Sequence, residues 1–232
     1  MWSCEPTDDG HHYASASIAI SANPRRVLWA RHGPNSLHSV DIDSGEIAWF
    51  YQERGHTCPT GRFFAVAASP RSTLIALARR EFVLLLDGES GKVIDRLTPP
   101  RPPRCLRESR LVEFSPCGRI LALGELFDVC PFDVVDVPRR PVGHRLAIEL
   151  HSDLAFCPDR PVFVASSSVD RIAWIWNYQN GTIEETLREN ERLNTVAWSP
   201  KDDLIASGSD QGTVRLYSAR YSPLPLVKRV LR

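Results

Sequence analysis

The chain has no excess of either charge: 28 Lys and Arg stand against 28 Asp and Glu in 232 residues. Nucleic-acid binding is largely phosphate neutralisation, so this balance argues against a DNA or RNA partner. No apolar run approaches the roughly 20 residues that cross a bilayer, which argues against a membrane one. The stretch Met1 to Asp9 is acidic and lacks the cationic and apolar regions of a signal peptide. Six cysteines (Cys4, Cys58, Cys105, Cys117, Cys130, Cys157) include no C-x-x-C pair. Zinc sites usually bring their ligands in close pairs, and small secreted scaffolds are far denser in cysteine. The pattern predicts reduced, mostly buried thiols in a soluble intracellular protein, cytoplasmic or nuclear. Without a secretion signal, Asn180-Gly181-Thr182 reads as a chance match to a glycosylation acceptor. No P-loop, G-x-G-x-x-G, H-E-x-x-H or kinase signature occurs, so no catalytic, cofactor-binding or metal residue is predicted. His11-His12 reads as part of a solvated tail rather than a metal site.

What is present is a repeat. A small residue followed by Pro ends a β-rich apolar run at Asn23-Pro24, Ser69-Pro70, Ser115-Pro116, Cys157-Pro158 and Ser199-Pro200. These prolines stand 46, 46, 42 and 42 residues apart. After each comes a polar turn and a second apolar run, such as Leu74-Ile75-Ala76-Leu77 or Ile120-Leu121-Ala122-Leu123. A third β-rich run follows, as in Phe82-Val83-Leu84-Leu85-Leu86. Gly turns at Asp43-Ser44-Gly45, Glu89-Ser90-Gly91 and Gln179-Asn180-Gly181 precede an alternating fourth run. Each unit therefore reads as four short antiparallel strands. One such sheet cannot cover its own faces, so the units must stack.

The chain resembles the WD40 repeat family over roughly residues 14 to 232. The fifth unit carries the likeness most closely, from Leu193 through Ser199-Pro200 to Thr213-Val214-Arg215-Leu216-Tyr217. The fourth ends Trp174-Ile175-Trp176-Asn177 where the family has Trp-Asp. Units one to three carry Val40-Asp41, Leu86-Asp87 and Val135-Asp136 there, and the third adds a long excursion from Glu125 to Pro131. The resemblance implies an all-β, WD40-like β-propeller array of five four-stranded blades, with strands A to D running outward from an axis. Blades are expected near 14–54, 55–100, 101–142, 143–187 and 188–232, after a polar tail at 1–13. The family more often closes at seven blades. Five therefore predict an incomplete ring, part of a longer parent or completed by another copy or partner, with a compact five-blade ring as the alternative.

The family's buried hydrogen-bond set would be supplied in the fourth unit by His144, Ser166, Asp170 and Trp176. Gly143-His144 and Gly55-His56 both precede their unit's proline by 14 residues, about three more than the family spacing. In the second unit only Gly55-His56 and Glu81 remain of that set. The fifth unit, with Glu189 and Gln211 at the His and Asp positions, is expected to lack it. A Ser–His–Asp trio invites a hydrolase reading, but no nucleophile elbow or oxyanion loop accompanies it, so His144 reads as structural.

Three features bear on partners. Pro99, Pro102 and Arg104 fit an SH3 ligand, although a stiff connector explains Thr98 to Arg104 as well. The D–A and B–C loops of a propeller share a face, and there the sequence puts Arg62, Arg79, Arg80, Arg107, Arg110, Arg171 and Arg192. Arg is favoured at interface hot spots. Leu216-Tyr217-Ser218-Ala219-Arg220 is similar to the Trp-Asp-x-Arg box of cullin–RING ubiquitin-ligase substrate receptors, with Arg220 matching and the Trp and Asp replaced. The expected function is a non-catalytic protein-interaction scaffold, with such a receptor as one alternative. A quinoprotein-like enzyme is the other, because Asp41 to Trp49 looks like one of that family's blade ends.

Overall fold

A computed structural model of the chain describes residues 17–31, 36–52, 63–79, 82–98, 111–125, 128–135, 140–144, 146, 153–201, 203–218 and 229–231. Among these residues there is no helix. Twenty strands form five four-stranded antiparallel sheets. The first sheet is β1 (Ser17–Ala22), β2 (Arg25–Arg31), β3 (Ser36–Asp41) and β4 (Ile47–Gln52). The second is β5 (Phe63–Ala68), β6 (Leu74–Arg79), β7 (Val83–Asp87) and β8 (Val93–Leu97). The third is β9 (Leu111–Phe114), β10 (Ile120–Glu125), β11 (Asp128–Asp133) and β12 (Arg140–Pro141). The fourth is β13 (Asp153–Phe156), β14 (Val162–Ser167), β15 (Ile172–Asn177) and β16 (Thr182–Arg188). The fifth is β17 (Leu193–Trp198), β18 (Leu204–Ser209), β19 (Val214–Ser218) and β20 (Arg229–Leu231). In every sheet the strands pair in chain order, A to D.

The turns explain the repeat. Each Ser-Pro or Cys-Pro step closes an A–B hairpin, with Ser69 N–H on Leu74 O at 2.8 Å, Ser115 on Ile120 at 2.7 Å and Ser199 on Leu204 at 2.8 Å. The C–D turns of the first, second and fourth sheets use an acid or amide at the end of strand C and a glycine four residues later. Asp87 Oδ1 accepts from Ser90 N–H at 2.8 Å and from its hydroxyl at 2.6 Å. Gly91 then reverses the chain at φ +69°, a conformation open to glycine at little cost. Asp41 with Ser44, and Asn177 with Gln179 and Asn180, repeat the arrangement. Hydrogen bonds from Ser44 and Ser90 hold the Asp41 and Asp87 carboxyls below the ordinary carboxylate range.

The chain divides into two compact units, Met1–Thr98 and Pro99–Arg232. In the first, Leu28, Ala30 and Leu37 of the first sheet pack on Val66, Ile75, Leu77, Leu84 and Leu86 of the second. Val66 N–H donates to Ser17 Oγ at 3.0 Å, tying β5 to β1. At the outer edge, Trp49 Nε1–H reaches across to Gly88 O at 2.9 Å.

In the second unit, the fourth sheet has two buried faces. Phe156, Phe163 and Trp176 meet Ile120, Ala122 and Val129 of the third sheet. Ala155, Val164 and Ile175 meet Val196, Trp198, Ile205 and Tyr217 of the fifth. Asp153 Oδ2 accepts from Thr195 Oγ at 2.6 Å and Val196 N–H at 3.2 Å, the counterpart of the Ser17–Val66 tie.

The third sheet departs from the expected alignment. Residues 128 to 131, expected in an excursion, belong to strand C, because β10 pairs with β11 from Glu125↔Asp128 to Ile120↔Asp133. The pair opposite Leu121 and Ile120 is Phe132-Asp133, as Trp176-Asn177 is opposite Phe163 and Val162. Phe132-Asp133 therefore takes the Trp-Asp place instead of Val135-Asp136. Pro131 hid the strand, since proline inside a run argues against one. It lacks an N–H but contributes its carbonyl, which accepts from Val142 N–H at 2.9 Å.

Candidate functional site

The four residues expected to form one hydrogen-bond set lie at two ends of the fourth sheet. Asp170 stands in the B–C turn, before β15, and accepts from Ser167 Oγ at 3.3 Å. Ser166, fully buried, donates instead to Asp153 O at 3.3 Å. Trp176 Nε1–H donates at 3.4 Å to the backbone carbonyl of His144, whose own N–H is held by Tyr178 O at 2.8 Å. His144 is exposed and lies beside Gly181, in the C–D turn after β15. The six residues of β15 separate it from Asp170 by roughly 17–20 Å. The imidazole and the carboxylate therefore belong to opposite rims, and the 14-residue spacing before Pro158 carries the reason: the Gly-His pair falls too early to reach the B–C side. The counterparts in the second unit, Gly55, His56 and Glu81, lie outside the described residues.

The fifth sheet, expected to lack a set, has one built from other groups. Glu191 accepts from Ser209 Oγ at 2.5 Å and Thr213 Oγ1 at 3.3 Å, and meets Arg215 Nη2 at 3.4 Å. Arg215 also pairs with buried Glu189. The Ser209 hydroxyl leads the contacts that hold the Glu191 carboxyl below its ordinary range. Glu189-x-Glu191 before β17, with Ser209 and Arg215 after it, is the signal that sequence reading missed. Carboxylate replaces imidazole, and the task of pinning the D–A segment to the B–C turn is unchanged.

This segment, 189–192, is where the D–A and B–C loops converge. Glu189 N–H donates to Arg171 O at 2.9 Å, Arg171 Nη1 to Asn190 O at 3.2 Å, and Asp210 N–H to Arg192 O at 3.0 Å. Arg171 and Arg192 are both exposed there. Arg171 also has φ +58°, the single non-glycine residue with positive φ among those described. A left-handed residue with a Cβ costs about 1–2 kcal/mol. Arg79, in contrast, ends strand B at the corresponding rim of its own sheet but has a buried side chain. It is 7% exposed, with its guanidinium 5.1 Å from the centre of the Phe82 ring. The long aliphatic stem and planar head of Arg suit such burial. Arg62, Arg80, Arg107, Arg110 and Arg220 lie outside the described residues, as do Pro99, Pro102 and Arg104 of the SH3-type segment.

Two sheet faces are also open. Cross-strand register aligns Ile18, Trp29, His38 and Phe50 in one row of the first sheet and Ile20, Val27, Val40 and Ile47 in the next. Ile18, Ile20, Ile47 and Phe50 are each more than half exposed. On the fifth sheet, Ala197, Ala206 and Leu216 form one row and Thr195, Gly208 and Val214 another. Ala197, Thr195 and Val214 are exposed.

Between β9 and β13, Glu113 is half-buried near Asp153. Burial, reinforced by the Asp153 charge, pushes its carboxyl up to about 8 against a hydrogen bond from Phe156 N–H that lowers it. Among the described residues no group of three or more His, Cys, Asp or Glu is placed to hold a metal ion.

Comparison with known proteins matches residues 139–177 and 181–218 to the family model described as WD domain, G-beta repeat. The chain is similar to Coronin-7 of Rattus norvegicus, 39% identical over 74 residues, which are 32% of this chain and 8% of that protein. Coronin-7 of Mus musculus is 38% identical over 74 residues, again 32% of this chain and 8% of the relative. Coronin-7 of Pongo abelii is 33% identical over 96 residues, 40% of this chain and 10% of the relative. The matched stretch thus spans a tenth or less of these relatives' length. Each family match runs from the outer strand of one sheet (β12 or β16) through strands A to C of the next. Residues 139–177 and 181–218, which match that family model, build most of the fourth and fifth sheets.

Proposed function

We propose that the chain is a non-catalytic protein-interaction scaffold within a multiprotein complex, and that the rim carrying Arg171 and Arg192 is where it meets a partner. WD40 repeats and the likeness to Coronin-7 support the interaction role in general. The observation that carries the rim is Arg171 itself. A position that glycine would fill at lower backbone energy holds an exposed, charged side chain at φ +58°. Strain kept at a turn, with an exposed planar head of which, among the described residues, Nη1 alone is held, by Asn190 O, suits recognition of a carboxylate-bearing protein surface. Cys130 and Cys157, buried and outside any disulfide, support an intracellular setting.

The test is affinity capture from the native host, followed by titration of the captured partner against Arg171→Glu, Arg171→Gly and Arg192→Glu. A loss of tenfold or more in affinity for Arg171→Glu and Arg171→Gly, with melting temperatures kept, is the expected result. Wild-type affinity in all three variants would exclude this rim as the contact.

A further inference from the structure

The first sheet and the fifth sheet each leave one face open, and the two faces differ in kind. The stack between the fourth and fifth sheets shows what such faces do. There the fourth sheet offers an aliphatic row that begins with alanine, Ala155–Val164–Ile175, and the fifth places Trp198 and Tyr217 on that side of the stack. The open face of the fifth sheet has the same kind of row, Ala197–Ala206–Leu216. Ala197 stands three residues before Pro200, as Ala155 does before Pro158. The open face of the first sheet is the large-residue kind, with Ile18, Ile20, Trp29 and Phe50.

We propose that two copies of this chain associate head to tail, the fifth sheet of one stacking on the first sheet of the next. The contact would continue an interface the chain already makes within its own second unit, with an aliphatic row receiving aromatic and branched side chains. A hydrogen-bond position continues as well. Asp153, five residues before its proline, accepts the Val196 N–H of the following sheet at 3.2 Å. Thr195, five before Pro200, holds the position of Asp153, and Ile20, four before Pro24, that of Val196. Charge does not oppose the contact. The chain's net charge is zero, and the one titratable side chain in the two rows of the first sheet is His38, bonded to Ser36 Oγ at 2.9 Å. A sheet four strands wide and about five residues long offers roughly 300 Å² in projection. That is small for a stable interface, so the association depends on concentration. Because the two faces differ, the contact is heterologous and propagates to a ring or an open chain.

Sedimentation velocity on the purified full chain, across the micromolar range, tests this. Wild type is expected to gain mass with concentration. Ile20→Lys blocks the first-sheet face and Ala197→Glu the fifth-sheet face; both side chains are exposed, so folding is little affected. Each variant alone should remain monomeric. An equimolar mixture should give one-to-one dimers, since each variant retains the face the other lacks. A wild type that stays monomeric throughout overturns the proposal. So does Ala197→Glu that still self-associates, which would mean like faces pairing, or a mixture that forms no dimer.

Discussion

Replacing Gly91 with Ala should weaken the contact between the first and second sheets, by an amount the geometry fixes. Gly91 has φ +69°, where an L side chain costs about 1–2 kcal/mol. Its Cβ would also lie 2.6 Å from Cε3 and 2.7 Å from Cδ2 of Trp49. Trp49 cannot swing aside and keep its 2.9 Å hydrogen bond to Gly88 O. Such a bond contributes about 0.5–1.5 kcal/mol net. The expected cost is therefore about 1.5–3.5 kcal/mol. Gly212→Ala is the control. Gly212 has φ +78° but no neighbour within 4 Å of a Cβ, so it loses only the backbone contribution. Removal of glycine's unfolded-state freedom is common to both and cancels. Native-state amide exchange in β3 and β7 reads the local opening energy, and urea unfolding followed by Trp fluorescence reads the global one. In a Trp49→Ala background the Gly91→Ala cost should fall to that of Gly212→Ala. Equal costs in the wild-type background, or a Gly91→Ala cost indifferent to Trp49, would refute the reasoning.

Three further outcomes follow from particular contacts. Glu113→Gln should flatten the pH dependence of stability. The folded carboxyl titrates near 8 against an ordinary 4.5, so its stabilising protonated form is lost as pH rises through that window, with a slope of at most about 1.4 kcal/mol per pH unit. An unchanged slope between pH 5 and 8 in thermal melts would rule this out. Asp153→Ala should cost about 1–3 kcal/mol, because Val196 N–H and the Thr195 hydroxyl lose their acceptor, and exchange should rise in β17 before β19. Arg171→Gly should leave thermal stability within about 1 kcal/mol of wild type, relief of the left-handed strain offsetting the lost Asn190 contact and the freer unfolded chain. A clear destabilisation in differential scanning calorimetry would mean that the arginine is chiefly structural.

Much of the fold was legible because its signals are local. A small residue before proline, alternating apolar runs and a glycine four residues after an acid or amide are set by turn geometry and by strand period two, so five four-stranded units could be counted from spacing alone. The fifth blade expected near 188–232 includes its outer strand, since β20 pairs Val214↔Leu231. The third unit was misaligned where proline stands inside a strand. No local rule shows that Pro131 uses only its carbonyl; pairing with Ala122 had to supply that. Two rim arginines, Arg171 and Arg192, were placed correctly from the loop order of the repeat. Arg79 lies at that end of its own sheet but is buried, since packing of its stem against Phe82 depends on what lies beside it.

The side-chain networks mark the boundary. Residue identity named a His–Ser–Asp–Trp set in the fourth sheet and none in the fifth, and the tertiary structure reversed the emphasis. His144 falls on the rim opposite Asp170 and serves through its backbone, while Glu191, Ser209, Thr213 and Arg215 form the closed network. A hydrogen bond needs heavy atoms near 3 Å apart, and sequence separation does not encode which rim of a sheet a side chain occupies. The sequence by itself determined strand number and turn type, because these follow from period and backbone preference. Which polar groups meet, and which apolar faces stay open, was decided only when the sheets stacked.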